Sequence, residues 1–222
     1  MATLHLVRHG QASLGAADYD QLSELGQRQC MRLGEVLRQR GQRFDAVYTG
    51  TLRRHAQSLD GLVQGYGELP AARARSGLDE YDSHAVIRAI HPQPLERPHD
   101  AASARQHFKL LREGLAAWID ARTAPEGMPS HAQFLDGVRA VLDEVRQSDE
   151  RQVLVVSSGG PISHALALAL GTPPHMAIEL NLRLRNTAVC QLVFTRERFT
   201  LDTFNHLPHL DGPGFADWIT YA

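Results

Sequence analysis

The stretch Thr3-Leu4-His5-Leu6-Val7-Arg8-His9-Gly10 reads as one short strand running into a turn, and the fold class follows from it. A run of β-branched and apolar residues, closed by glycine and followed by a polar loop, fits a core strand of an open α/β sheet. Ligands of such sheets sit beyond the carboxyl ends of the strands, where strand order reverses, so His9 is expected at a binding crevice. Gly10 is expected to leave room there for a ligand, and Arg8 brings a planar fork of donors suited to phosphate.

Outward from this strand, helix and strand signals alternate. A loop over 11–22 leads to Ser23, an N-cap for a helix that runs through Gln39 on a stripe of Leu25, Leu33, Val36 and Leu37 and stops at Gly41. Phe44 to Thr49 is the second strand, so the first βαβ unit calls for a parallel pair. The turn after Thr49 opens a helix to about Tyr66. Val153-Leu154-Val155-Val156 centres a fully apolar strand over Gln152–Ser157. Ser157-Ser158-Gly159-Gly160-Pro161 then turns into a helix that ends at Gly171, with Pro161 expected as its first residue. Two runs, 188–194 and 198–204, form a hairpin at the sheet edge.

Between Pro70 and about Ser148 the pattern is mostly helical, broken at His91-Pro92-Gln93-Pro94 and at Pro125–Pro129. Phe108, Leu111, Leu115, Trp118 and Ile119 keep helical spacing, as do Phe134, Val138, Val141, Leu142 and Val145. Ser130 with Gln133 makes a capping box for the second of these helices. The expectation is one domain over 1–222: an α/β three-layer sandwich, with a mostly parallel open sheet and a helical cap insertion over about 74–148.

Composition excludes several classes. A formal net charge of -2 and a pI near 6.6 over 222 residues leave no basic footprint for nucleic acid. The absence of a long apolar run and of a secretory leader pattern points away from membranes and to a cytoplasmic protein. Cys30 and Cys190 lack zinc or thioredoxin spacing and read as small buried hydrophobes. The twelve histidines include no helical metal-binding pair, so neither metal nor cofactor is expected.

Leu6-Val7-Arg8-His9-Gly10 resembles the signature of the histidine phosphatase, or phosphoglycerate mutase-like, superfamily. The resemblance implies that His9 attacks the phosphorus of a small phosphomonoester and that water cleaves the resulting phosphohistidine. Four further segments are similar to the family's pattern. Leu22-Ser23-Glu24-Leu25-Gly26 resembles the opening of its first helix. Thr49 to Ser58 is similar to its serine-x-leucine-x-arginine-alanine segment, which makes Arg54 the second phosphate-binding arginine beside Arg8, in a helix's first turn where an anion is favoured. Leu78-Asp79-Glu80 is similar to its leucine-x-glutamate, which makes Glu80 the proton donor, with a pKa raised by burial or by Asp79 and Asp82; either aspartate is an alternative donor. Asn205 to Leu210 resembles its closing asparagine…histidine-leucine phrase.

One segment departs from the family. Where its turn reads serine-histidine-glycine-glycine, this chain has Ser157-Ser158-Gly159-Gly160. Ser158 and Gly159 are then the phosphate-binding positions. Losing a preorganised donor of that kind costs on the order of 10²–10³ in rate, so slow or specialised chemistry is expected. His164, six residues on, is a candidate to reach back. A noncatalytic phosphate-binding or scaffold protein is the alternative. A mutase is disfavoured because Tyr81, Asp82 and Ser83 supply no basic residue after Glu80. The apolar tail, Phe215, Trp218, Ile219 and Tyr221, is expected to dock on the core or on a second subunit, making a homodimer in the latter case.

Overall fold

A computed structural model describes residues 2–13, 20–93 and 100–221. Residues 14–19 of the expected loop and Pro94 of the break at His91–Pro94 lie outside these. Strands β1 (Ala2–Arg8), β2 (Ala46–Thr49), β3 (Ala72–Ala74), β4 (Gln152–Ser157), β5 (Val189–Phe194) and β6 (Phe199–His206) form one sheet in the order β3-β2-β4-β1-β5-β6. The helices are α1 (Glu24–Gln39), α2 (Arg53–Tyr66), α3 (Ser83–Arg88), α4 (Ala101–Ile119), α5 (His131–Gln147), α6 (Gly159–Leu170) and α7 (Met176–Asn181).

Strands β1 to β4 are mutually parallel, and β5 and β6 close one edge as an antiparallel hairpin. The expected parallel pairing of β1 with β2 is corrected: β4 lies between them and pairs with both. The chain order hides this, because β4 is the most apolar strand and is buried by a partner on each side.

Alternation along each strand divides the core into layers. Leu4, Leu6, Val153 and Val155 face Val138, Val141, Leu142 and Val145 of α5 and Ile162, Ala165 and Leu166 of α6. Val7, Val47 and Leu154 face the other way, against Leu33 and Leu37 of α1 and Leu62 and Tyr66 of α2. Each such side chain contributes roughly 1.5–3 kcal/mol by leaving water. A third cluster joins Val86 and Ile87 of α3, Leu110, Leu111, Leu115 and Trp118 of α4, and Ile178 of α7. Phe108, expected on the apolar stripe of α4, is instead 45% exposed.

The caps follow the sequence. Ser23 accepts from the Gly26 N–H, and Ser130 and Gln133 close a reciprocal box at α5. α6 begins at Gly159, not at Pro161: Ser158, extended at φ −108°, is its cap, and Pro161 falls third, where the missing N–H still costs nothing. Phe215, Trp218 and Ile219 pack on the main core of their own chain, and the Trp218 carbonyl accepts from Gln29 at 2.6 Å. Both cysteines are buried and free, and burial pushes each thiol up to about 12. Among the described residues no helix is long and apolar enough to cross a membrane.

Candidate functional site

Register brings the candidate residues together. Arg8 sits opposite Ser157, and Thr49 opposite Val156, so β1, β4 and β2 end nearly level. The ladder continues one step past each end: the His9 N–H donates to the Ser157 carbonyl at 2.8 Å and the Gly50 N–H to the Val156 carbonyl at 3.1 Å. His9, Ser158 and Gly50 thus follow one another across the top of three neighbouring strands.

His9 is 3% exposed, and its Nδ1 lies 2.7 Å from the Gly10 carbonyl. A carbonyl only accepts, so Nδ1 carries the proton and Nε2 keeps a lone pair. Burial, then the charges of Arg8 and Arg54 and the neighbouring His55, hold the His9 pKa well below its usual value. The imidazole is therefore neutral at physiological pH. Gly10 does not leave room for a ligand as expected. A Cβ there would lie 2.4 Å from the Gly26 carbonyl oxygen, so the space admits the backbone of α1.

Arg8 donates from Nη1 to the Leu184 carbonyl at 2.5 Å, and its Nε lies 3.8 Å from the Cβ position of Gly159. Arg54 donates from Nη1 to Asp20 at 2.7 Å and from Nη2 to the Ser158 hydroxyl at 3.5 Å. The expected anion site at the start of α2 is already filled. Asp20 accepts the Arg53 N–H at 2.9 Å and the Arg54 N–H at 3.5 Å, taking the groups that favour negative charge at a helix N-terminus. Sequence reading missed Asp20, whose partners lie more than thirty positions away.

Glu80 reaches the same place from the turn after Leu78. That turn is fastened at three points: the Ser157 hydroxyl donates to the Leu78 carbonyl at 2.6 Å, Thr51 donates from N and Oγ1 to Asp79 at 2.5 Å each, and the Gly160 N–H lies 3.1 Å from both Glu80 oxygens. A Cβ on Gly160 would meet Glu80 Oε1 at 2.0 Å, so a larger residue there would displace the carboxylate. Burial raises the Glu80 pKa, opposed by the Gly160 N–H and by the charges of Arg54 and Arg8. Neither neighbouring aspartate takes the parts expected of it. Asp79 is held by Thr51, and Asp82 caps α3 by accepting from the His84 and Ala85 N–H groups.

Ser158 is fully buried at the start of α6, and its hydroxyl lies 2.7 Å from Nε2 of His55. Gly159 beside it is crowded by Asn181, whose Oδ1 lies 2.1 Å from the Cβ position. His164 does not reach back. Its Nδ1 lies 2.8 Å from the Gly160 carbonyl and its Nε2 3.1 Å from His131, so the helix turns it toward α5. The structure therefore gathers His9, Arg8, Arg54, Glu80, Ser158 and Gly159, adds Asp20 and His55, and leaves out His164.

Residues 4–207 match the family model described as Histidine phosphatase superfamily (branch 1). Among solved structures the chain is similar to a mycobacterial glucosyl-3-phosphoglycerate phosphatase, at 26% identity and a TM-score of 0.64, over 92% of this chain and 99% of that one. It shares its fold with a putative α-ribazole-5'-P phosphatase from Escherichia coli, at 18% identity and a TM-score of 0.68, over 93% of this chain and 97% of that one. It also shares its fold with a phosphoserine phosphatase from Entamoeba histolytica, at 19% identity and a TM-score of 0.64, over 95% of this chain and 100% of that one. No curated protein sequence matches the chain.

Proposed function

We propose, for a chain that belongs to the histidine phosphatase superfamily, branch 1, that it hydrolyses small phosphomonoesters through a phosphohistidine on His9. The observation that carries this reading is the state of His9: neutral, fixed through Nδ1 by the Gly10 carbonyl, with a lone pair on Nε2 and two guanidinium groups beside it. Phosphoryl transfer needs positioning and charge neutralisation more than covalent ingenuity, and this pocket supplies both.

In the first step His9 Nε2 attacks phosphorus in line as the P–O bond to the leaving alcohol breaks. Arg8 and Arg54 neutralise the equatorial oxygens. Glu80 in its acid form, which burial favours by raising its pKa, gives its proton to the departing alkoxide. In the second step the Glu80 carboxylate takes a proton from water, which attacks the phosphohistidine and releases inorganic phosphate and neutral His9. Glu80 is thereby protonated again and the cycle closes.

Ser158, the serine in the place of the family motif's histidine, brings a hydroxyl to the non-bridging oxygens but no charge of its own. With that hydroxyl alone the pocket would turn over slowly, by the order of 10²–10³ that one preorganised donor is worth. The similar proteins named as phosphatases support hydrolysis as the outcome. The test is phosphate release from a panel of phosphomonoesters with His9→Ala as the blank. Release that depends on His9 supports the reading. Equal release by wild type and variant, or none from any substrate together with tight vanadate binding, would favour a binding protein.

A further inference from the structure

His55 is a completely buried imidazole that the reaction just described does not use. It sits inside the candidate site: its ring centroid is 6.0 Å from that of His9, and its Nε2 is 2.7 Å from the Ser158 hydroxyl. Its Nδ1 is buried without a hydrogen-bond partner and faces the Asp79 carboxylate at 3.6 Å. Asp79 is itself anchored by two bonds from Thr51, so it is a fixed negative wall rather than a mobile side chain.

The chain makes room for this ring. A Cβ on Gly50 would lie 2.1 Å from His55 Nδ1 and 2.7 Å from Asp79 Oδ1, so no other residue fits at the end of β2 while His55 keeps its place. Along the serine-x-leucine-x-arginine-alanine pattern that Thr49 to Ser58 resembles, Gly50 stands at the serine and His55 at the alanine. The segment thus also differs from the pattern at these two positions, and both adjoin the difference at Ser158: His55 lies 2.7 Å from its hydroxyl, and Gly50 leaves the space that His55 occupies.

We infer that His55 is a positioning residue that acts through the Ser158 hydroxyl, restoring to this pocket the imidazole that position 158 lacks, with Asp79 holding the ring. The inference rests on the phosphatase reading of the same site and deepens it. Without an anion, neutral His55 holds its proton on Nδ1 toward Asp79 and accepts at Nε2 from the Ser158 hydroxyl, whose oxygen accepts from Arg54 at 3.5 Å. When a phosphoryl dianion enters, His55 takes up one proton from solvent and becomes imidazolium. Nε2–H then donates to Ser158 Oγ, and the hydroxyl proton turns to a non-bridging oxygen. The site gains one positive charge beside the anion.

The groups facing His55 set the balance. Burial and Arg54 oppose its protonation, while Asp79 and Asp20 favour it, and the net effect lowers its pKa in the empty site. His9, whose ring centroid is 6.0 Å away, is neutral and adds no charge. A dianion is the missing partner that tips the balance toward the charged ring.

The test uses the whole protein. Imidazole ¹⁵N signals of His55 are titrated with and without inorganic phosphate or vanadate, and kcat is measured for His55→Ala, His55→Gln and the double variant His55→Ala/Ser158→His. The expected results are a rise in the His55 pKa by more than about one unit on anion binding, and a fall in kcat of about 10²–10³ in either single variant with a smaller change in KM. The double variant, which vacates the space of one ring and puts an imidazole back at 158, recovers about ten-fold or more of that loss. The inference is overturned if the His55 titration ignores the anion, or if well-folded His55→Gln turns over within about three-fold of wild type. The wild-type titration needs no variant to fold. Wild-type turnover that does not depend on His9 would overturn the phosphatase reading instead, because the titration reads anion binding alone.

Discussion

Glu80→Gln separates proton donation from every other contribution of this site. The substitution keeps shape: one side-chain oxygen still accepts the Gly160 N–H, which lies 3.1 Å from both carboxylate oxygens, and the amide nitrogen replaces the oxygen that would carry the proton. What is lost is general acid catalysis, worth about 10²–10⁴ in rate for a poor leaving group. An activated aryl phosphate needs no such proton, so its phosphorylation of His9 is expected to slow by no more than about ten-fold, whereas discharge of the phosphohistidine, which also uses Glu80, slows alike for both substrates. The sign of the pH effect follows from the raised pKa of Glu80: the protonated form donates, so activity on alkyl phosphates fades as pH rises through that value. The assay is the rapid-quench burst of alcohol release, which reads the first step alone, from one alkyl and one aryl phosphomonoester across pH, for wild type and variant. In wild type the alkyl-to-aryl ratio of burst rates falls with rising pH; in Glu80→Gln it is low and flat. Dividing one substrate by the other removes any titration, such as that of His55, that acts on both. Equal losses on the two substrates, or a ratio that keeps its pH dependence in the variant, would refute the assignment.

Other expectations test the phosphate clamp and the frame that holds it. Arg54→Lys keeps the charge but loses the fork that spans Asp20 and Ser158, so calorimetric affinity for inorganic phosphate is expected to fall about 10- to 100-fold. Trp118→Ala removes a side chain that is 1% exposed and whose Nε1–H donates to the Pro129 carbonyl at 3.2 Å; urea unfolding is expected to register a loss of about 3–5 kcal/mol. Burial pushes the pKa of His164 down to about 4 and that of His209 down to about 3, so the folded state holds both rings neutral. Below pH 6.5 the unfolded chain takes up protons that the folded chain refuses, and stability falls with pH by about 1.4 kcal/mol per unit per histidine until each folded value is reached. Urea titrations at pH 7, 6 and 5 check this, and His164→Asn is expected to take about 1.4 kcal/mol per pH unit off the slope.

The strands and helices that carry their own local signals were legible in the sequence. Ser23 and the Ser130–Gln133 box mark helix starts without reference to anything distant, and β1 and β4 announce themselves as apolar runs. The insertion of β4 between β1 and β2 was not legible, because strand order is a non-local fact that no window of sequence contains. β3 was missed for another reason: its three residues are all exposed, so they show neither alternation nor an apolar run. The six-residue helices α3 and α7 are too short for periodicity to emerge.

The same division applies to the site. Arg8, His9, Arg54 and Glu80 stand out because each lies in a segment whose pattern is recognisable. Asp20 carries no such mark, and its pairing with Arg54 exists only once the loop before α1 meets the start of α2. His55 was in plain view beside Arg54, but on a helix a buried histidine reads the same as any core residue. Only the 2.7 Å approach of its Nε2 to Ser158 and the space left by Gly50 single it out. Burial, rather than the neighbouring aspartates, raises Glu80, because both carboxylates are spent on holding backbone and hydroxyl groups of their own.

The most direct measurement mixes the protein with a ³²P-labelled phosphomonoester, quenches within the first turnover, and maps the labelled peptide. Acid-labile, base-stable phosphate on the peptide that contains His9, formed and discharged at rates that account for kcat, is the predicted result. Turnover that proceeds with no label on His9, or that survives His9→Ala unchanged, would contradict it.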